Sequence, residues 1–207
     1  MSRRFWHASP AGLLILAIMA GACRSRADTE NANQGAASSE TGAVGSPQAA
    51  DTGSAGELTD ANIVALLDEA NKADSSAGAV AVKKASSAEV KRFAREMMAD
   101  HHALRLAGEQ AAKKANITPS APANDPVAPL VKTETSVLDS TAAGPAFDRA
   151  YIEQEVTAHR AVKDLLDKAG GEADNSDLKA AIEKASPIVE RHLSEAESLQ
   201  KKLAGKA

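Results

Sequence analysis

Four long stretches of this chain repeat apolar residues every three or four positions, which is the spacing of one face of an α-helix. These stretches cover residues 59–81, 86–116, 144–169 and 175–203. Each one is about 25 residues long, and no other stretch alternates between apolar and polar residues as a strand does. We therefore predict an all-α fold, in which each apolar stripe packs against neighbouring helices.

Capping residues and prolines place the ends of the predicted helices. Ser87 can cap the second helix, Pro145 fits the first turn of the third, and Gly170-Gly171 ends it. The connection between the second and third helices is long and contains four prolines, with a short helical segment expected at 130–138. This layout predicts an antiparallel four-helix bundle whose long connection is similar to the crossover of ferritin-like folds. Pro187 should kink the fourth helix or remove one of its backbone hydrogen bonds.

Composition narrows the function classes. Only 2% of the residues are aromatic, and the formal net charge is −4. A nucleic-acid surface needs a basic footprint and usually stacking rings, so we expect no nucleic-acid partner. No glycine-rich phosphate loop and no nucleophile elbow occurs, and we expect a binding module rather than an enzyme.

The N-terminus has the layout of a secretory signal. Two arginines precede an apolar run too short to span a bilayer, and small residues lead to Cys23, the single cysteine of the chain. We predict a lipoprotein signal at 1–22 with lipid attached to Cys23. An ordinary cleaved signal that leaves Cys23 as a free thiol is the alternative.

A polar tract separates this signal from the helices. Residues 24–57 are rich in Ser, Gly, Ala, Thr and Asn and show no hydrophobic period. Such a segment cannot bury enough apolar surface to fold, so we predict a flexible tether at 23–57 and a helical domain at 58–204. The order of lipid, tether and domain is typical of a periplasm-facing module anchored to a membrane of the bacterial envelope, and we favour the outer membrane.

Three histidines stand in the predicted inward stripes. His101, His159 and His192 each lie about 14–16 residues into their helix, near half height at about 1.5 Å per residue. Half height is the level that reversal of helix direction leaves unchanged, so the three side chains are predicted to share one layer. Asp74 lies near the middle of the first helix and adds a carboxylate.

This set supports two interpretations. Three imidazoles and a carboxylate can bind zinc, copper, iron or nickel. Alternatively, the same side chains form a hydrogen-bonded structural layer, because buried polar groups usually find partners within the protein. The usual di-metal motif, a Glu three residues before a His, is absent, since those positions hold Met98, Val156 and Val189. Glu155 lies four residues before His159 and is expected to pair with it along the helix.

Three sequence blocks resemble one bacterial family. They are Ala85-Ser86-Ser87-Ala88-Glu89-Val90-Lys91-Arg92-Phe93-Ala94 with Met97-Met98-Ala99-Asp100-His101, Gly144-Pro145-Ala146-Phe147-Asp148-Arg149-Ala150-Tyr151 with Ala158-His159, and Ser186-Pro187 with Arg191-His192-Leu193. They resemble the helix signatures of the domain-of-unknown-function family 4142, often labelled predicted outer-membrane protein. The resemblance implies a ferritin-like domain of the cell envelope with no agreed activity, and its histidine positions correspond to His101, His159 and His192.

Two hypotheses of function follow. The first is a lipid-anchored, non-enzymatic module that acts by binding or in envelope stress tolerance, the stress role being implied by the resemblance. The second is a metal-binding or metal-dependent redox protein that uses His101, His159, His192 and Asp74. A homodimer is compatible with both, because Gly108 and alanines on the second helix allow close approach of another copy.

Overall fold

The computed structural model describes residues 56–205, which form five α-helices and no strand. The helices are α1 Asp60–Lys84, α2 Ala88–Lys114, α3 Ala128–Ser140, α4 Pro145–Glu172 and α5 Ser176–Ala204. The all-α prediction is confirmed, and the short segment expected at 130–138 is the helix α3. The predicted signal at 1–22, the anchor Cys23 and nearly all of the tether lie outside the described residues.

Side-chain caps fix several helix ends where the sequence indicated them. Thr59 and Asn62 form a capping box at the start of α1, and the Ser87 hydroxyl accepts from the Val90 amide at the start of α2. The Asn175 side chain accepts two backbone N–H groups of α5. Asp148 belongs to α4 but accepts the backbone N–H of both Ser86 and Ser87, at 2.8 and 2.9 Å, and so joins the starts of α2 and α4.

The four long helices pack in a closed order. α1 lies along α2, α2 contacts α5, α5 lies along α4, and α4 contacts α1, while α3 packs against α1 and α4. α1 and α5 run from one apolar cluster of the core to a second cluster, and α2 and α4 run the opposite way. Neighbouring long helices are therefore antiparallel. The chain between α2 and α4 returns along the domain, and α3 lies in this return.

A polar layer separates the two apolar clusters. Ala70 and Ala77 of α1 belong to different clusters, and Asp74 stands between them. On the other helices, His101, Glu134, His159 and His192 lie between the two clusters in the same way. Glu155 is also buried and lies one turn before His159, beside Ile152 and Val156 of the second cluster. Apart from the buried Asp148 at the start of α4, the interior of the described domain is thus apolar at both ends and polar at half height.

Pro187 does not interrupt α5, which continues through it. The proline is exposed, and the neighbouring Ser186 hydroxyl donates to the Ile182 carbonyl at 3.1 Å. Among the described helices, none combines the length and the apolar character that crossing a membrane requires.

Candidate metal site

The three histidines predicted to share a layer do so. The ring centroids of His101 and His192 are 5.2 Å apart, and those of His159 lie 5.5 Å from each of them. One ring nitrogen from each histidine lies within 4.8 Å of the others. All three side chains are almost completely buried, with relative exposures of 0–1%. The prediction that the three histidines share one layer, made from their equal heights on antiparallel helices, is therefore confirmed.

One nitrogen of each imidazole donates a hydrogen bond to an oxygen acceptor, and we call it the outer nitrogen. His101 Nδ1 donates to Asn71 Oδ1 at 2.9 Å, and His159 Nδ1 donates to the Glu155 backbone carbonyl at 2.9 Å. His192 Nε2 donates to Asp100 Oδ2 at 3.0 Å. Because the outer nitrogen carries the proton in a neutral imidazole, the other nitrogen carries a lone pair.

That second nitrogen, which we call the inner nitrogen, has no hydrogen-bond partner on any of the three rings. The inner nitrogens are His101 Nε2, His159 Nε2 and His192 Nδ1. Burial lowers the pKa of each histidine to about 4, so the rings are neutral at pH 7. The described structure thus gathers three buried lone pairs and gives none of them a proton donor.

Carboxylates border the histidines. Asp74 Oδ2 lies 3.3 Å from His101 Nδ1, and Glu155 Oε2 lies 3.3 Å from His159 Nδ1. Glu155 is completely buried, and neither of its carboxylate oxygens has a hydrogen-bond partner. Asp74, Glu155 and His159 each offer one ligand atom within 4.8 Å of the other two.

Burial raises the pKa of these carboxyl groups, so they stay protonated at higher pH than exposed carboxyl groups do. It raises the pKa of Asp74 to about 6 and that of Glu134 to about 8, where the nearby Asp74 carboxylate adds to the effect. The pKa of Glu155 is raised well above its ordinary value by burial and by the carboxylates of Asp74 and Glu134, and the Tyr151 hydroxyl opposes this shift only in part. No Lys or Arg is buried among the described residues, so this layer contains no buried cation.

A neighbouring acidic group, nearer the surface, differs from the buried layer in having an arginine partner. Glu96 and Asp100 also lie close to His192, but both are half-buried near the surface. Arg191 pairs with each of them and donates to Asp100 Oδ2 at 2.7 Å. This group therefore already has its cation. Arg191 also lies 3.4 Å from the outer nitrogen of His192, but the inner nitrogens have no such partner.

In the described domain, two openings lead from the surface to the layer. An apolar cavity of about 370 Å³ between α1, α2 and α5 extends from Lys184 near the surface to His101 and Asp74. A groove of about 390 Å³ between α1 and α3 reaches Glu134. A small solute can therefore approach the layer from two sides.

The sequence placed four of these residues and missed others. His101, His159 and His192 come together as predicted, while Asp74 borders them, close to Glu155, His159 and the outer nitrogen of His101. The exposed His102 lies outside the cluster. Glu155 does pair with His159 along the helix, but its complete burial was not anticipated. Glu134 was overlooked, although Val131, Glu134 and Leu138 are spaced as one face of a helix.

These features define a small all-helical protein with a buried histidine and carboxylate layer. Residues 44–199 match the family model described as Domain of unknown function (DUF4142), and the chain belongs to that family. Neither the curated proteins nor the solved structures contain a match to this chain.

Proposed function

We propose that this protein binds a transition-metal ion through His101, His159 and His192, with Asp74 as an adjacent carboxylate ligand. The observation that carries the proposal is the unpartnered inner nitrogen on each buried ring. Metal-binding histidines usually donate their other ring N–H to a carboxylate, amide or carbonyl oxygen, and each outer nitrogen here has such an acceptor.

The donor set favours a borderline metal ion. Imidazole nitrogen suits zinc, copper, iron and nickel, and the rings need no deprotonation because they are neutral at pH 7. Two nitrogens bound to one zinc ion are separated by about 4.2 Å at most, since each Zn–N bond is about 2.1 Å. One ring nitrogen of each histidine lies within 4.8 Å of the others, so the three imidazoles are nearly close enough to share one ion.

A purely structural polar layer accounts less well for this arrangement. A hydrogen-bonded layer satisfies its own buried atoms, and each buried atom left without a partner costs about 1–3 kcal/mol. Here the inner nitrogens, both Glu155 oxygens and Glu134 Oε1 lack partners. A cation bound by the three histidines would give each inner nitrogen the partner that it lacks.

We further propose that the metal-binding domain is a ferritin-like antiparallel four-helix bundle of the bacterial envelope. The antiparallel neighbours and the return connection that holds α3 support the bundle. The basic, apolar and small residues before Cys23 support lipid attachment there and a position facing the periplasm, held by the outer membrane. Binding, rather than catalysis, is the proposed activity.

Metal-dependent thermal unfolding tests the proposal. The purified protein is treated with a chelator and unfolded with and without zinc, copper, iron or nickel ions. Free metal at 100 times Kd should add about 2.7 kcal/mol of stability, because it binds only the folded state. That corresponds to a rise in Tm of roughly 5–10 °C for a domain of this size.

Two histidine variants provide the comparison. His192→Ala removes a buried ligand and should abolish the rise in Tm, whereas His102→Ala removes an exposed histidine and should leave it unchanged. The proposal fails if none of the four metals raises the Tm of the wild type. It also fails if His192→Ala retains the full rise.

A further inference from the structure

The apolar cavity between α1, α2 and α5 lies between two ion pairs that join α2 to α5. Arg191 of α5 pairs with Asp100 of α2 at 2.7 Å, and Lys114 of α2 pairs with Asp177 of α5 at 2.7 Å. Between these pairs the two helices line the cavity with small residues, among them Gly108, Ala112, Ala181 and Ala185. Small side chains cannot fill the space between separated helices, and the cavity of about 370 Å³ results.

The inner end of this cavity offers a ligand little to hydrogen-bond. Asn71 donates to the Leu67 carbonyl at 2.6 Å and accepts from His101 Nδ1 at 2.9 Å. Asp74 is only 3% exposed, and its Oδ2 lies 3.3 Å from the same His101 nitrogen. The walls beside them are aliphatic and include Val64, Leu104, Leu166, Leu178 and Val189. An apolar group therefore suits the inner end best.

The mouth of the cavity differs from the inner end because it carries uncommitted positive charge. Arg105 also lines the cavity, but it pairs with Asp68 at 2.7 Å and with Glu109 at 2.8 Å. Lys113 and Lys184 are exposed lining residues, and within the described domain neither forms an ion pair. The charged lining groups left for a ligand are thus two ammonium groups, both on the solvent side.

We propose that this cavity binds a single-chain amphipathic anion, of which a medium-chain fatty acid is the simplest. Its alkyl chain lies along the aliphatic walls, and its carboxylate stays at the mouth beside Lys113 and Lys184. Benzene, with six carbon atoms, fits an apolar cavity of about 150 Å³, so this one has room for roughly 12–15 non-hydrogen atoms. The inference does not rest on metal binding, since neither the two lysines nor the aliphatic walls are proposed metal ligands.

Calorimetric titration with ligands of different charge and length tests the inference. The protein is purified without detergent, which would compete for an apolar cavity, and is titrated with chelator present. Decanoate should bind one molecule per chain. Decanol should bind roughly 2–10-fold more weakly because it lacks the charge, and decyltrimethylammonium more weakly still. Octanoate should bind roughly tenfold more weakly than decanoate because it buries two fewer methylene groups.

Matched variants locate the ligand. A methyl group added at Gly108 would meet nothing within 4 Å, so Gly108→Leu can extend from the cavity wall and should abolish binding. Ala103→Leu adds the same bulk to an exposed position of α2 outside the cavity and should bind as the wild type does. Lys113→Gln combined with Lys184→Gln should weaken decanoate binding roughly 2–10-fold and leave decanol binding unchanged. Lys179→Gln, an exposed lysine of α5 outside the cavity, is the control.

The results separate this inference from the proposed function. A wild type without saturable decanoate binding overturns the inference, and so does binding that a folded Gly108→Leu retains. Equal affinity for decanoate and decanol, unchanged by the double lysine variant, overturns the anionic end of the ligand even if Gly108→Leu fails to fold by circular dichroism. Decanoate binding by a protein whose Tm no metal raises removes the proposed function and leaves this site standing.

Discussion

Burial decides the protonation of the six side chains in the polar layer, and it acts on them in opposite directions. A buried imidazole resists gaining a proton, while a buried carboxyl resists losing one. The pKa of each histidine is accordingly lowered to about 4, and that of Glu134 is raised to about 8. At pH 7 the histidines of the metal-free layer are therefore neutral because they lack a second proton, and Glu134 is largely neutral because it keeps its proton. The neutral imidazole nitrogens are available to bind a metal ion.

These shifts predict how stability depends on pH in the metal-free protein. From about pH 6.5 down to about 4 the unfolded chain gains protons at histidines that stay neutral in the fold, which lowers stability as pH falls. From about pH 4.5 up to about 8 the unfolded chain loses the Glu134 proton that the fold retains, which lowers stability as pH rises. Above about pH 6.5 only the carboxyl effect remains, so stability should decline toward about pH 8.

Replacing Glu134 with glutamine should weaken this decline. Glu134→Gln cannot ionise, so its stability relative to the wild type should increase from about pH 4.5 to about 8, by about 1.4 kcal/mol per pH unit at most. Urea unfolding at several pH values with chelator present measures the difference. Asp139→Asn, an exposed carboxyl on the same helix, is the control and should follow the wild type. A pH-independent difference between Glu134→Gln and the wild type would contradict the assignment.

At the scale of single helices, the contact between α1 and α2 is close because of a glycine. A methyl group added at Gly78 would meet the Ala94 carbonyl oxygen and Met98 Cγ, each at 2.8 Å. The carbonyl belongs to the backbone of α2 and cannot rotate away. The same substitution at Gly108, also in a helix interior, meets nothing within 4 Å.

These two glycines should respond to alanine with opposite signs. Gly108→Ala should stabilise the protein by about 1 kcal/mol through helix propensity. Gly78→Ala gains the same propensity but must separate α1 from α2, so a net loss of about 1–3 kcal/mol is expected. Thermal or urea unfolding of the two variants provides the comparison. Equal stabilisation by both would show that the helices can separate without cost.

At the scale of the whole molecule, the proposed lipid on Cys23 would set where the metal-binding domain operates. A single lipid chain holds a protein only marginally, whereas multiple acyl chains give stable anchoring. We therefore predict that the full chain fractionates with membranes and that Cys23→Ser releases it to the soluble fraction. The chain has no second cysteine that could take the lipid instead, and Ser25→Ala serves as the control that should stay with membranes. Unchanged membrane fractionation of Cys23→Ser would contradict the anchor.

The sequence by itself determined the helices and the height of the histidines. Apolar periodicity, Ser87 as a cap and Pro145 in a first turn are local signals, and the helices begin where these residues predict. Three histidines that lie at half height and in the inward stripes share one level, because reversal of helix direction preserves that level, and their rings lie 5.2–5.5 Å apart. Local periodicity was therefore sufficient to predict the histidine part of the site.

Only the tertiary structure decided which carboxyl groups join the histidines and what remains unsatisfied there. Glu134 lies on a short helix whose position depends on how the return connection packs against α1 and α4. Glu155 has the sequence spacing of an ordinary surface pair, and only the packing of neighbouring helices makes it fully buried. Burial and missing partners are properties of contacts between distant segments, so no local pattern in the sequence contains them.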